Sequence, residues 1–243
     1  MNTKLDRDGE TPHRTGRLQP HGEEFSPQVV NHIRSGLEAW WASARRDYPW
    51  RHTRDPYRVL VAEVLLHRTR ADQVVPVYIH VLTEYPTVQS LAGAELEHVR
   101  AIMHPLGLRW RADLMHAMAQ EIVASYGGNI PASRRELEKL PGIGPYAAAA
   151  LLCFAFGKPE PLLDVNTVRI VGRILGIQIN DSHRRSKRFH RLLTQLVDPR
   201  APRAFNFAML DLGALVCRSS GPRCDSCPLL AQCTFGQQTT PVS

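Results

Sequence analysis

The sequence predicts an all-α protein built as two helical lobes with a cleft between them. Three observations lead there. Apolar residues recur at three- and four-residue spacing through most of the stretch from Pro27 to Val216, the mark of amphipathic helices. No segment shows the convincing apolar–polar alternation of a half-buried strand. The 243 residues suffice for one large core or two small ones, at about 100 to 200 residues per domain, and we read two.

Residues 1–24 are polar, with Pro, Gly and charges of both signs, and read as a disordered arm; they have no apolar stretch of the kind a signal peptide needs. Val30, Ile33, Leu37, Trp40 and Trp41 then place a helix over Pro27 to Ala44. The segment PWRHTRDPY, Pro49 to Tyr57, has two prolines and is a loop delivering the chain into a helix whose buried stripe is Tyr57, Leu60, Val61, Val64 and Leu65. Glu63 lies at the margin of that stripe. Further helices are expected over Ala71 to Tyr85, Ala94 to Met103, Arg111 to Tyr126 and Ser133 to Leu140, with Gly127-Gly128 and Pro131 as breaks. The stretch Leu140-Pro-Gly-Ile-Gly-Pro-Tyr146 leads into an apolar helix over Pro145 to Phe156. Asp164 directly precedes a helix at about Val165 to Leu175, and Ser186 to Leu196 and Arg203 to Val216 complete the helical part. We assign residues 52–163 to one lobe and residues 25–51 plus 164–243 to the other.

The formal net charge of +7 and a pI of about 9.5 suit a polyanionic partner, and equally a basic surface serving only solubility. No apolar run approaches the roughly 18 residues a membrane span needs, so no membrane partner and a cytoplasmic location are expected. Of five cysteines, Cys153 stands alone in an apolar helix and reads as a small core residue, while Cys217, Cys224, Cys227 and Cys233 follow the spacing C-x6-C-x2-C-x5-C. Four thiolates so close suit one compact metal centre. Zinc ribbons set two C-x2-C knuckles farther apart, so an iron–sulfur cluster of the [4Fe-4S] type is the better fit.

In the Leu140–Tyr146 turn, the glycines Gly142 and Gly144 permit tight backbone and keep side chains out of the way. Free amides, with the N-terminus of the following helix, can face a phosphate oxygen, a contact that positions a nucleic-acid backbone without reading its sequence. The same pattern also serves as a plain packing turn. Asp164 has two readings as well: a helix N-cap, or a carboxylate exposed for chemistry.

LPGIGPY, LLDVN and the cysteine spacing, in that order, resemble the helix-hairpin-helix DNA glycosylases that carry an iron–sulfur cluster, and Pro49 to Thr69 extends the likeness to roughly Val30–Cys233. Within that superfamily the pattern looks most like the archaeal thymine mismatch glycosylases, with adenine glycosylases as next relatives. The resemblance implies a helix-hairpin-helix glycosylase fold with a DNA cleft between its lobes and a cluster loop near the C-terminus. It implies catalytic roles for Asp164, Tyr146 and Glu63. Asp164 matches the catalytic aspartate, where a carboxylate stabilises an oxocarbenium-like sugar or activates water. Tyr146 stands where lyase-active members carry a lysine nucleophile, which implies a glycosylase that stops at the abasic site. Glu63 matches the acid that protonates adenine; here it can instead accept a hydrogen bond from thymine N3–H, or merely pair with His67 on the helix surface.

DNA contacts are expected from Leu140, Gly142, Ile143 and Gly144 in the hairpin, from Leu66, His67 and Arg68 where wedge residues fall, and from Leu108 and Arg109 in a second minor-groove loop. Trp110 is open to two readings, loop surface or core. The expected partner is double-stranded DNA holding a mismatch, bound by a monomer associated with the nucleoid. The implied activity is excision of thymine, and of uracil, opposite guanine in base excision repair. The alternatives are an adenine glycosylase acting opposite 8-oxoguanine or guanine, and a non-catalytic DNA-binding module. The short stretch after Cys233 is an expectation in favour of thymine, because adenine enzymes usually carry a further domain there.

Overall fold

The computed structural model describes residues 24–107 and 109–239, and every regular element within them is helical. The polar arm, apart from Glu24, and Leu108 lie outside the described residues. The helices, in chain order, are α1 (Pro27–Ala44), α2 (Pro56–Leu66), α3 (Ala71–Glu84), α4 (Val88–Ala92), α5 (Leu96–Met103), α6 (Trp110–Tyr126), α7 (Arg134–Leu137), α8 (Pro145–Phe154), α9 (Val165–Leu175), α10 (Lys187–Leu196), α11 (Pro202–Leu215) and α12 (Thr234–Thr239). None is long and apolar enough to cross a membrane.

Local chemistry sets most of the boundaries. Asp55 caps α2, its Oδ1 accepting from the Tyr57 amide at 2.8 Å, with Pro56 at the first helical position. The α6 and α9 helices end at Gly127 and Gly176, both left-handed. Two short elements escape the periodicity argument. Five-residue α4 exists because Thr87 and Ser90 form a reciprocal capping box, and α12 follows the last cysteine. Conversely, the helix expected over Ser133 to Leu140 closes after Leu137, where the chain tightens into the hairpin with Leu140 N–H donating to Leu137 O.

Buried side chains form two cores. One draws on α2, α3, α5, α6 and α8, and includes Tyr48 and Trp50 from the loop that follows α1. The other draws on α1, α9, α10 and α11. Phe207 of α11 belongs to the first core, stacked on Phe154 at 4.1 Å, so α11 spans both.

A buried carboxylate pins this seam. Asp211, 0% exposed, accepts from Trp41 Nε1 (2.8 Å), Arg46 Nε (2.5 Å) and both terminal nitrogens of Arg51 (2.6 and 2.8 Å). Burial alone would raise its pKa, but the Arg51 guanidinium, with Trp41 and Arg46, holds it below the usual carboxylate value. The charge is thus fully hydrogen-bonded where it crosses between α1 and α11.

Candidate functional site

A cavity of about 1290 Å³ opens between the lobes, larger than the roughly 300–1,000 Å³ typical of small-molecule sites and able to admit a nucleotide with flanking backbone. Glu63 from α2, Tyr146 from α8 and Asp164 ahead of α9 all line it, together with Gly142, Gly144 and, from the far wall, Arg185 and Lys187.

Asp164 is the N-cap of α9. Its Oδ1 accepts from the Asn166 and Thr167 amides at 2.9 and 2.7 Å, and Oδ2 accepts from Asn166 Nδ2 at 2.7 Å. Asn166 is held in turn by Arg169 Nη2 at 2.9 Å, and Arg169 also donates to the carbonyls of Gly213 and Cys217. The carboxylate is therefore fixed in direction while remaining on the cavity wall.

Glu63 is partly buried, and its pKa is pushed up to about 8, by burial first and by the negative charge of Asp164 second. The two carboxylates therefore differ in kind: a neutral acid faces a second carboxyl whose oxygens are held by N–H donors. The Tyr146 phenol lies well above its ordinary pKa, again through burial and then through Glu63 and Asp164, so it is a hydrogen-bond donor rather than a phenolate. The surface pairing of Glu63 with His67 does not form, because α2 ends at Leu66 and His67 leaves the helix with extended backbone.

The hairpin between α7 and α8 divides its labour unevenly. Gly142 is left-handed at φ +77°, and Gly144 has open space where a Cβ would stand. Leu140 and Ile143, expected among the DNA-facing residues, turn their side chains into the core at 3% and 6% exposure. Their amides are already bonded, to Leu137 O and Leu140 O. The surface left for a phosphate is Gly142, Gly144 and the first turn of α8, where the Tyr146 and Ala147 amides precede the first intrahelical bond, Ala148 N–H to Gly144 O.

At the cavity mouth, Leu66 packs partly on the first core, His67 and Arg68 are exposed, and Arg68 has a left-handed backbone at φ 58°. Arg109 is exposed ahead of α6. Trp110 is not core: it is 42% exposed and meets the His67 ring edge-to-face at 5.6 Å. His67 is held below its usual pKa by burial, then by Arg68 and Arg111, which favours the neutral ring. Sequence reasoning missed Arg111, which reads as one more loop cation yet is 1% exposed. Its Nη1 donates to Leu65 O (2.7 Å), His67 O (3.2 Å) and Thr69 Oγ1 (2.9 Å), and its Nη2 to Leu106 O (2.8 Å) and Gly107 O (3.2 Å). It also missed the basic wall at the start of α10. Runs of Arg and Lys at 184–187 are the only signal the sequence carries for it.

Cys217, Cys224, Cys227 and Cys233 line one small pocket bounded by Val216, Leu230 and Phe235. Among the described residues no group of three or more His, Cys, Asp or Glu side chains stands ready to hold a metal ion. Three of the sulfurs accept hydrogen bonds: Cys217 from Arg173 Nη1 (3.3 Å), Cys233 from Gly236 N–H (3.3 Å) and Cys224 from Thr239 Oγ1 (3.7 Å). Cys153 is a buried core residue, as expected.

A family model for HhH-GPD superfamily base excision DNA repair proteins matches residues 61–195. The chain is 38% identical over 228 residues to a thymine/uracil-DNA glycosylase of Pyrobaculum aerophilum, covering 91% of this chain and 96% of that protein. It is 39% identical over 213 residues to a thymine-DNA glycosylase of Aeropyrum pernix, covering 85% and 95%. Human adenine DNA glycosylase is 34% identical over 219 residues, 86% of this chain but 40% of that protein. Among solved structures, a thermostable thymine-DNA glycosylase superposes with a TM-score of 0.81 at 31% identity, covering 87% of this chain and 98% of that one. A trapped endonuclease III–DNA covalent intermediate shares the fold at a TM-score of 0.75 and 24% identity, covering 88% and 98%.

Proposed function

From the premise that the chain belongs to the HhH-GPD superfamily of base excision DNA repair proteins and is a DNA glycosylase, we propose that it removes thymine, and uracil, opposite guanine, and stops at the abasic site. The observation that carries this reading is the trio sharing one cavity: a tyrosine where a lysine nucleophile would stand, a neutral glutamic acid and an oriented aspartate.

The substrate is a duplex whose mispaired thymine rotates out of the stack into the cavity. Gly142, Gly144 and the start of α8 hold the backbone phosphate, while the wall at Arg185 and Lys187 supplies counter-charge on the other side. The C1′–N1 bond breaks with the electron pair leaving on thymine, and positive charge grows on the sugar. Asp164 stabilises that charge and takes a proton from the water whose oxygen bonds to C1′. Protonated Glu63 donates to a thymine carbonyl, spreading the negative charge of the departing base. Tyr146, kept as a phenol, cannot form a Schiff base, so nothing links enzyme to sugar.

The cysteine pocket fits a [4Fe-4S] cluster. Four cysteines surround one cavity, sulfur-directed donors favour thiolates, and a polynuclear cluster holds its ligands farther apart than one ion does. Cys217, Cys224, Cys227 and Cys233 would hold it, and bound there it supplies a rigid anchor for the loop that carries Arg218 and Arg223.

The test is incubation with duplexes holding G·T, G·U, A·8-oxoguanine or A·G pairs, followed by alkaline cleavage of abasic sites. Strand breaks from G·T and G·U duplexes are expected, and breaks only in adenine strands would reject the substrate assignment. Borohydride should trap no covalent DNA adduct. Iron and sulfide analysis of anaerobically purified protein decides the cluster.

A further inference from the structure

The loop after α2 (67–70) and the loop before α6 (104–109) lie about forty residues apart in sequence, yet one buried side chain joins them. The Arg111 guanidinium has both terminal nitrogens occupied by loop oxygens, three from the Leu65–Thr69 side and two from Leu106 and Gly107. A cation 1% exposed and bonded to neutral acceptors is expensive to bury, so its geometry is worth explaining. It holds both loops in one arrangement. On the outer side of that arrangement the loops present His67 and Trp110 in edge-to-face contact, beside Arg68 with its left-handed backbone. Trp110 is the one aromatic among the large exposed hydrophobic side chains of the described residues.

An exposed indole on a basic rim suits a nucleobase face. Two bases are candidates: the one rotated into the cavity and the one left behind. Glu63 and Tyr146 lie within the cavity, whereas His67 is one turn farther along, past the end of α2, so the aromatic pair belongs to the rim facing the duplex. We propose that Trp110, positioned by Arg111 and braced by His67, stacks on the base left without its partner, making the two loops a single gap-filling unit. Trp110 is then a specificity-determining contact and Arg111 a positioning residue. This rests on the glycosylase reading above.

The experiment uses the full chain and equilibrium binding to duplexes with a tetrahydrofuran abasic analogue, so it does not depend on turnover. The analogue is placed opposite guanine, or opposite a second analogue so that no orphan base exists. Trp110→Ala should lose about 10-fold in affinity for the first duplex and less than about twofold for the second, in line with the contribution of one stacked base. Trp110→Phe should restore most of the loss. Arg111→Met should reproduce the loss, and the double variant should be no weaker than either single one, because both break the same unit. If Arg111→Met does not fold, Thr69→Val, which removes one acceptor, should show the same duplex selectivity at about threefold. Equal losses on both duplexes would make Trp110 a general backbone contact and overturn the proposal. A loss seen only when an uncleavable extrahelical base is present would move the contact to the flipped base, and multiplicative losses in the double variant would refute the unit. If the wild-type chain excises from no duplex in the assay above, the functional reading and this inference fall together. If it excises normally while Trp110→Ala binds like wild type, only the inference falls.

Discussion

Replacing Glu63 by Gln tests the electrostatics of the cavity without touching its shape. Burial lifts the carboxyl from the usual 4.5 to about 8, so between those values the folded protein retains a proton that the unfolded chain has released. The sign follows: folding is progressively disfavoured as pH climbs through that window, and the penalty is constant above it. At about 1.4 kcal/mol per pKa unit, the ceiling is about 5 kcal/mol above pH 8 and about 3 kcal/mol at pH 7. Glu63 opens onto cavity water, which screens its charge, and halving for that leaves about 1–2 kcal/mol at pH 7. Gln carries no proton to release. Thermal melts of Glu63→Gln and wild type should therefore nearly coincide at pH 5, separate by about 2–8 °C in favour of the variant at pH 7, and keep a constant gap above pH 8. A gap that ignores pH would refute the argument, since it would mean that Glu63 keeps an ordinary pKa. Activity adds a second readout: wild-type excision should fall as pH rises through about 8, and the variant, whose amide still donates, should lose that limb.

Three other outcomes follow from single contacts. Asp164→Asn should cut the excision rate by about 10²–10³ with almost no change in melting temperature, because Asn caps a helix as well as Asp; an equal loss of stability would reduce the residue to its cap. Asp211→Ala strands Arg46 and Arg51 at the seam and should cost about 3–5 kcal/mol in urea unfolding, whereas a loss under about 1 kcal/mol would show the buried pairs to be replaceable by water. Gly142→Ala and Gly144→Ala should part company. The first forces φ +77° on alanine with its Cβ 3.0 Å from Leu114 Cδ1 and should lose about 1–2 kcal/mol of stability. The second meets nothing in the protein and should keep its stability but weaken DNA binding, and equal melting losses would contradict the assignment of Gly144 to the phosphate.

What was legible in the sequence is what local chemistry writes there. Asp55 before Pro56, Gly127 after Tyr126 and the hairpin glycines announce helix ends, because caps and left-handed turns need particular residues within three or four positions. The helix over Pro27–Ala44 could be read to the residue because its apolar stripe is regular. Arg111 and Asp211 could not be read, because their partners lie about 40 and 160 or more residues away, and Arg111 binds mostly carbonyls that every residue possesses. Nor does a sequence say that Leu140 and Ile143 face inward, since hairpin residues alternate between support and surface within one turn.

Asp164 shows how such ambiguity resolves. On the sequence, capping and catalysis compete as readings of one aspartate before a helix. In the structure the cap employs Oδ1, and Asn166 Nδ2 holds Oδ2, so the bonds that begin α9 are the ones that aim the carboxylate along the cavity wall. A side chain free to rotate would have to be ordered as the sugar develops charge; this one is ordered when the helix forms. The cap is therefore the means by which Asp164 is made ready for the sugar, and a variant that moved the helix start by one residue would be expected to lose rate even with the carboxylate intact.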